Sequence, residues 1–381
     1  MNLIENARKL VPELTARAAE IEAGRRIPAD VSKRMAEAGF FRMFVPEALG
    51  GLELSPLIAV EVFELLAQGD ASSAWIAFIG ATSGTVLERV PEAAARAVFG
   101  KPETLITGVF APSGRAEIVD GGFLVNGRWQ WGSGSENADW ILGGCQILRN
   151  GEPLTTRSGA PRTHMVLLPA SEVKFLDTWH VSGLCGTGST DYYVEDLFVP
   201  TAHVAGYEIT ESSDRPLYQF PQFTFLALGI AAVSLGIARA AIDELIAVAA
   251  NKIRAGSSSA IANRVHTQME VAQAEATLRA ARAFYYQALT SAWDQALAGK
   301  PVPVDQRRDL RLATTFAVQS AVKVVDAMYT QAGGTSVYET SRLQRQFRDV
   351  HVATQHIMVA ASTFETVGRL FLGVETNTAM L

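Results

Sequence analysis

The chain has 381 residues, 33 basic against 39 acidic for a formal net charge of −6, with 48% hydrophobic and 19% charged residues. That is enough apolar chain for two or three packed units, and too much for a disordered one. The acidic balance, with no run of like charges, excludes nucleic acid and an anionic membrane surface as electrostatic partners.

The first hundred residues read as helical. Leu10, Leu14, Ala18 and Ile21 recur at spacings of three and four, the signature of one buried helix face. Pro28 and Asp30 signal a second helix start, FVPEALGGLELSP interrupts, and helices resume at LIAVEVFELLAQ and ASSAWIAFIGATSGTVL. From Glu103 the pattern shortens to β-branched and aromatic runs punctuated by Gly, Asn and Pro, which predicts an antiparallel β unit. Long alanine-rich helices return after Pro200. The expected fold class is α+β, with a helical domain over 1–102, a β domain over 103–210 and a helical bundle over 211–381. An uncharged stretch between Arg215 and Arg239 has roughly 16 apolar-rich residues, short of the roughly 20 that span a bilayer, and reads as a core helix. Cys145 and Cys185 form no CxxC pair, and the N-terminus lacks a signal-peptide pattern, so the expected compartment is the cytoplasm.

Familiar chemistries are missing. His351 and His356 are five residues apart, some 140° around a helix, which is wrong for a shared metal ion. GxSxG and GxxxxGK[ST] do not occur, and GTGS at Gly186 is a weak phosphate signal on its own. What remains is Gly-rich turns between aromatic strands and the charged segment LQRQFRDVHVATQH. If that segment is one helix, His356 shares a face with Asp349, Val352 and Ala360. A histidine on such an apolar face is ordinarily a satisfied core residue.

Four segments in order resemble the acyl-CoA dehydrogenase superfamily: FVPEALGGLELSP, GFLVNGRWQWGSGSENADWIL, GTGSTDYYVEDLFVP and AGGTSVYETSRLQRQFRDV. The resemblance implies an N-terminal helical domain, a central β domain and a C-terminal four-helix bundle. In the dehydrogenases a catalytic glutamate follows the Arg-Asp pair; here the corresponding position is Ile357, and the alternative position near Leu226 also lacks a carboxylate. RDVHVATQH is instead similar to the two-component flavin-dependent monooxygenases, which include 4-hydroxyphenylacetate hydroxylases and dibenzothiophene and indole-type oxygenases.

That resemblance implies reduced flavin (FMN or FAD) and O2 reacting through a flavin C4a-hydroperoxide to hydroxylate a small phenolic, indole-like or polycyclic aromatic. It further implies a separate NAD(P)H-dependent flavin reductase and a homotetramer. His356 is the implied catalytic residue, taking a proton from substrate or donating a hydrogen bond to the peroxide. Ser133 is implied beside the flavin N5 edge, its ordinary alternative being a β-turn serine. Phe110, Trp131, Arg254, Gly333 and Gly334 are implied at the cofactor, and Trp75, Ser83 and Phe225 at the substrate. The family's R-x-x-F-G clamp is altered to Lys252-Ile253-Arg254-Ala255-Gly256, as suits an exchangeable flavin. The alternative is an acyl-CoA dehydrogenase with Glu365 or Glu339 as an atypical base.

Overall fold

The computed structural model describes residues 2–211, 213–253, 258–379 and 381. Five helices come first: α1 (Leu3–Gly24), α2 (Ala29–Glu37), α3 (Pro56–Gly69), α4 (Ala71–Ser83) and α5 (Glu92–Val98). Asn2 caps α1 by accepting from the Glu5 amide at 3.1 Å, and Leu10, Leu14, Ala18 and Ile21 are buried as their spacing predicts. Asp70 caps α4 by accepting from the Ser73 amide at 2.7 Å. All residues of α4 are buried, so it shows no polar stripe and passes through the centre of the molecule.

Among the described residues eight strands form one sheet: β1 (Ile106–Val119), β2 (Gly122–Gly132), β3 (Trp140–Arg149), β4 (Glu152–Pro153), β5 (Thr163–Pro169), β6 (Lys174–Leu176), β7 (Thr190–Pro200) and β8 (Val204–Ala205). The order is β6-β7-β2-β1-β3-β5-β8, with β4 on β3. Asp120-Gly121 closes the β1–β2 hairpin, and Gly121 takes the positive φ (75°) that such a turn demands. The expected antiparallel sheet is in fact mixed. The chain runs along β1, back along β2, and reverses again before β3 pairs on the far side of β1, so β1 and β3 are parallel.

The second helical part holds α6 (Pro216–Gln219), α7 (Gln222–Ala249), α8 (Val265–Leu297), α9 (Val304–Ala332), α10 (Arg342–Ala353) and α11 (Ser362–Phe371). Helix α7 is long and apolar enough to cross a membrane, but 89% of its apolar window is buried by α3, α4, α9 and α10. It is the core helix expected from sequence. One continuous apolar cluster joins the N-terminal helices to this bundle, and a separate cluster fills the sheet.

Candidate active site

Two irregularities in the sheet build the site. Along β1, Val109 pairs with Gly143 and Gly114 with Cys145, so residues 110–113 stand opposite Gly144 alone and bulge from the ladder. Along β2, Trp129 pairs with Tyr192 and Gly132 with Thr190, so Gln130 and Trp131 bulge in turn. Such bulges re-aim side chains at the cost of pairing. Trp131 adopts a positive φ of 64°, unusual for a bulky residue, and its side chain is 71% exposed. Trp129, two residues earlier, is fully buried, donates from Nε1 to the Gly144 carbonyl at 2.8 Å and stacks on Tyr192.

Just past β2, Ser133 is buried and accepts a hydrogen bond from Trp75 Nε1 on α4 at 3.1 Å. Its Oγ lies 2.7 Å from Ser189 Oγ, which lies 2.7 Å from Thr187 Oγ1, and Thr187 donates to the Leu184 carbonyl at 2.8 Å. The Leu184 carbonyl can only accept, so the direction of the whole chain follows: Ser189 donates to Thr187 and Ser133 to Ser189. Ser133 therefore keeps one free acceptor lone pair. Ser133 does sit in a turn, its amide donating to the Trp131 carbonyl at 3.0 Å, and the hydroxyl relay adds a buried polar chain to that turn. Ser189 and Thr187, which belong to the GTGST segment, were not singled out from sequence because a hydroxyl run between glycines has no spacing signature.

The Trp75 and His356 ring centroids are 6.1 Å apart, which brings the expected substrate and catalytic residues together. The helical face expected for His356 is not what forms. Helix α10 ends at Ala353, and His356, with extended backbone (φ −73°, ψ 130°), caps a 3₁₀ turn over Ile357–Val359. The Met358 amide donates to His356 Nδ1 at 3.2 Å, a local bond that competes with helix continuation. Burial, with the nearby Arg311 charge adding to it, lowers the imidazole pKa to about 4. The ring is thus neutral at pH 7, and with Nδ1 accepting it carries its proton on Nε2. With Nδ1 so occupied, Nε2–H is the ring group left to donate a hydrogen bond.

Phe110 and Phe225 line a cavity of about 280 Å3 with Arg89, His164, Tyr218 and Phe220. Trp75, Ser133 and His356 do not line it. Phe225, at the start of α7, packs its ring 5.0 Å from Phe44 and 5.1 Å from Phe220. Ser83 at the end of α4 is buried with an unpartnered hydroxyl, as are Thr107 on β1 and Ser135 beside Gly134.

The remaining expected residues sit apart. Gly333 and Gly334 follow α9 with open space where a Cβ would stand, and Lys252 Nζ bonds the Ala332 carbonyl and Thr335 Oγ1 there. Arg254 lies outside the described residues. Glu339 and Glu365, the alternative bases, are both exposed, which removes the desolvation such a base needs. His351 pairs with Asp326 at 2.9 Å, and no metal-ligating cluster occurs among the described residues. Arg311 escaped sequence reading because an arginine in a polar-flanked helix is ordinarily at the surface; here it is 5% exposed.

The family descriptions "Acyl-CoA dehydrogenase, N-terminal domain" and "Acyl-CoA dehydrogenase, C-terminal domain" match residues 2–97 and 228–361. An indole-3-acetate monooxygenase of Pseudomonas putida is 38% identical over 94% of this chain and 90% of its own. The crystal structure of the 3-HSA hydroxylase from Rhodococcus sp. RHA1 superposes with a TM-score of 0.89 at 27% identity, covering 100% of this chain and 99% of that one. XiaF from Streptomyces sp., solved with FADH2 and glycerol, gives 0.89 at 26% identity over 98% and 95%.

Proposed function

This chain belongs to the acyl-CoA dehydrogenase family, in its flavin-dependent monooxygenase branch, and from that membership we propose that it hydroxylates a small aromatic of the indole type. It is an oxygenase component that uses reduced flavin and O2, with a separate reductase supplying the flavin. The indole preference is supported by the 38% identical relative named for indole-3-acetate. We also infer that the reductase draws on NAD(P)H and that the chain assembles as a homotetramer. Val337, Tyr338, Ile357, Phe371 and Leu372 are each more than half exposed, as a self-association surface requires.

The residues present fit a flavin. Residues 110–113 carry backbone groups outside both ladders, Thr107 and Ser135 have buried hydroxyls without partners, and Trp131 offers an exposed ring face. A flat ring with a polar edge satisfies all three. Phe110, Trp131 and Ser133 would hold that ring, and Gly333 and Gly334 leave room for a phosphate group. When bound, reduced flavin would supply the two electrons that activate O2, one atom of which goes to the substrate and the other to water.

The chain's own residues do the rest. The one free lone pair of Ser133 can only accept, so it suits an N–H, which a reduced flavin has at N5 and an oxidised one lacks. Trp75 fixes the Ser133 rotamer and covers the site against water. Neutral His356 donates from Nε2 toward the transferring oxygen or the substrate hydroxyl without needing to be protonated first. The observation that carries this reading is the Trp75–Ser133–His356 grouping beside the two bulges.

The test mixes the protein with anaerobically reduced FMN or FAD, then with isotopically labelled O2 and indole or indole-3-acetate. One labelled oxygen atom in the aromatic product is expected. Label recovered only in hydrogen peroxide and water would overturn the assignment.

A further inference from the structure

Arg311, on α9, is 5% exposed and has no carboxylate partner among the described residues. Its Nη1 lies 3.5 Å from Met358 Sδ and its Nη2 3.4 Å from Thr363 Oγ1, both uncharged, while Nε is buried with no hydrogen-bond partner among the described residues. One turn further along the same face, Thr315 is buried with an unpartnered hydroxyl. Other arginines that cross between elements of this fold find acids: Arg282 bonds Glu64, Arg345 bonds Glu22 and Arg239 bonds Glu275.

Burial lowers the guanidinium pKa only to about 10, so the group stays charged at neutral pH. Its field reaches His356 and helps to keep that ring neutral. The 3₁₀ turn that His356 caps packs on α7 and α9, and its Met358 is the residue Arg311 touches. A buried, uncompensated cation is strongly unfavourable unless an anion completes it. The described residues supply the charge and, one turn along, the Thr315 hydroxyl, but no anion.

We propose that Arg311 is the anchor for a carboxylate on the aromatic substrate, so that the enzyme acts on aromatic acids whose ring faces His356 and whose anionic group meets Arg311 and Thr315. The proposal rests on the monooxygenase reading of the same site and adds to it the charge class of the substrate. It makes Arg311 a specificity-determining residue, with its fork of N–H donors matched to a carboxylate.

Binding without turnover is the primary test. Calorimetry compares the wild-type protein with indole-3-acetate, phenylacetate and benzoate, and with the uncharged amide of each. At least one acid should bind at least roughly 30-fold more tightly than its amide, the span of a desolvated charge-assisted hydrogen bond. Arg311→Met should abolish that preference while leaving amide affinity within about threefold, and Arg311→Lys should recover part of it. Equal affinity for acid and amide throughout the wild-type series overturns the proposal, and needs no variant to fold. A preference that survives in Arg311→Met overturns it as well. So does a variant that loses reduced FMN while keeping the acid preference, which would assign Arg311 to the flavin phosphate. Turnover separates this proposal from the reading beneath it. Uncharged indole should be oxidised by the wild-type protein, so oxidation without acid preference sinks only the anchor. Acid preference without any oxidation sinks only the monooxygenase.

Discussion

Burial holds the His356 ring neutral at pH 7, and two effects of the residue can be separated. Replacing it with Ala should lower hydroxylation by roughly 10² to 10⁴, the range for a positioned proton-handling group, and leave flavin affinity unchanged. Wild-type turnover in that variant would remove the residue from the mechanism. The second effect is on stability. With its folded pKa at about 4, against about 6.5 unfolded, the ring binds a proton in the unfolded chain before it does so in the folded one. Its contribution is therefore complete above pH 6.5 and is lost as pH falls toward 4, on the order of 3 kcal/mol in full. Buried Asp349 runs the other way: burial raises its carboxyl to about 7, so its contribution falls as pH rises from about 4 to 7. The wild-type curve mixes the two, and the useful quantity is a difference. Denaturation midpoints should show His356→Gln gaining on wild type between pH 6.5 and 4, and a constant gap would show that the ring is not held neutral. Ser133→Ala should weaken reduced flavin several-fold more than oxidised flavin, since only the reduced ring has an N–H for the Ser133 lone pair; equal losses in a titration of both forms would contradict that pairing.

The two bulges depend on how one indole is seated. A Cβ at Gly143 would stand 2.6 Å from Trp129 Cζ2 and 2.8 Å from Cε2, and Gly114 and Gly127 approach the same ring as closely. Three glycines from three strands thus clear the space in which Trp129 lies, and Trp129 in turn anchors Gly144, the residue opposite the β1 bulge. Gly143→Ala should cost about 1–3 kcal/mol through overpacking against a side chain that has nowhere to go. It should also weaken flavin binding, because residues 110–113 lose their seat. Guanidinium unfolding and flavin titration of the same variant check both parts, and a stable variant with impaired flavin binding would locate the effect in the bulge alone.

Across the whole molecule, the halves are tied by long-range polar contacts over a shared apolar core. Glu64 on α3 accepts from Arg282 Nε at 2.7 Å and from the Tyr286 hydroxyl at 2.9 Å, both on α8. Glu22 on α1 pairs with Arg345 and Arg348 of α10. Arg282 is partly hydrated, so Glu64→Ala should cost only about 1–2 kcal/mol, read as a lower denaturation midpoint. Assembly is the other property at this scale. Light scattering should return about four times the 41.0 kDa protomer mass, and a monomer with full activity would refute the tetramer.

The sequence by itself determined the order of helical, β and helical parts, the buried face of α1, the core placement of α7 and the candidacy of Trp75, Ser133 and His356. Each of these rests on local periodicity, turn chemistry or a motif resemblance, which are written in consecutive residues. Only the tertiary structure decided that β1 and β3 run parallel, that α10 stops before His356, that the imidazole is kept neutral, and that Arg311 is buried without an acid among the described residues. Those facts depend on which groups meet across long separations and on how much water is excluded between them. Burial and partnership set the protonation and hydrogen-bonding direction of a side chain, and neither quantity is local in sequence.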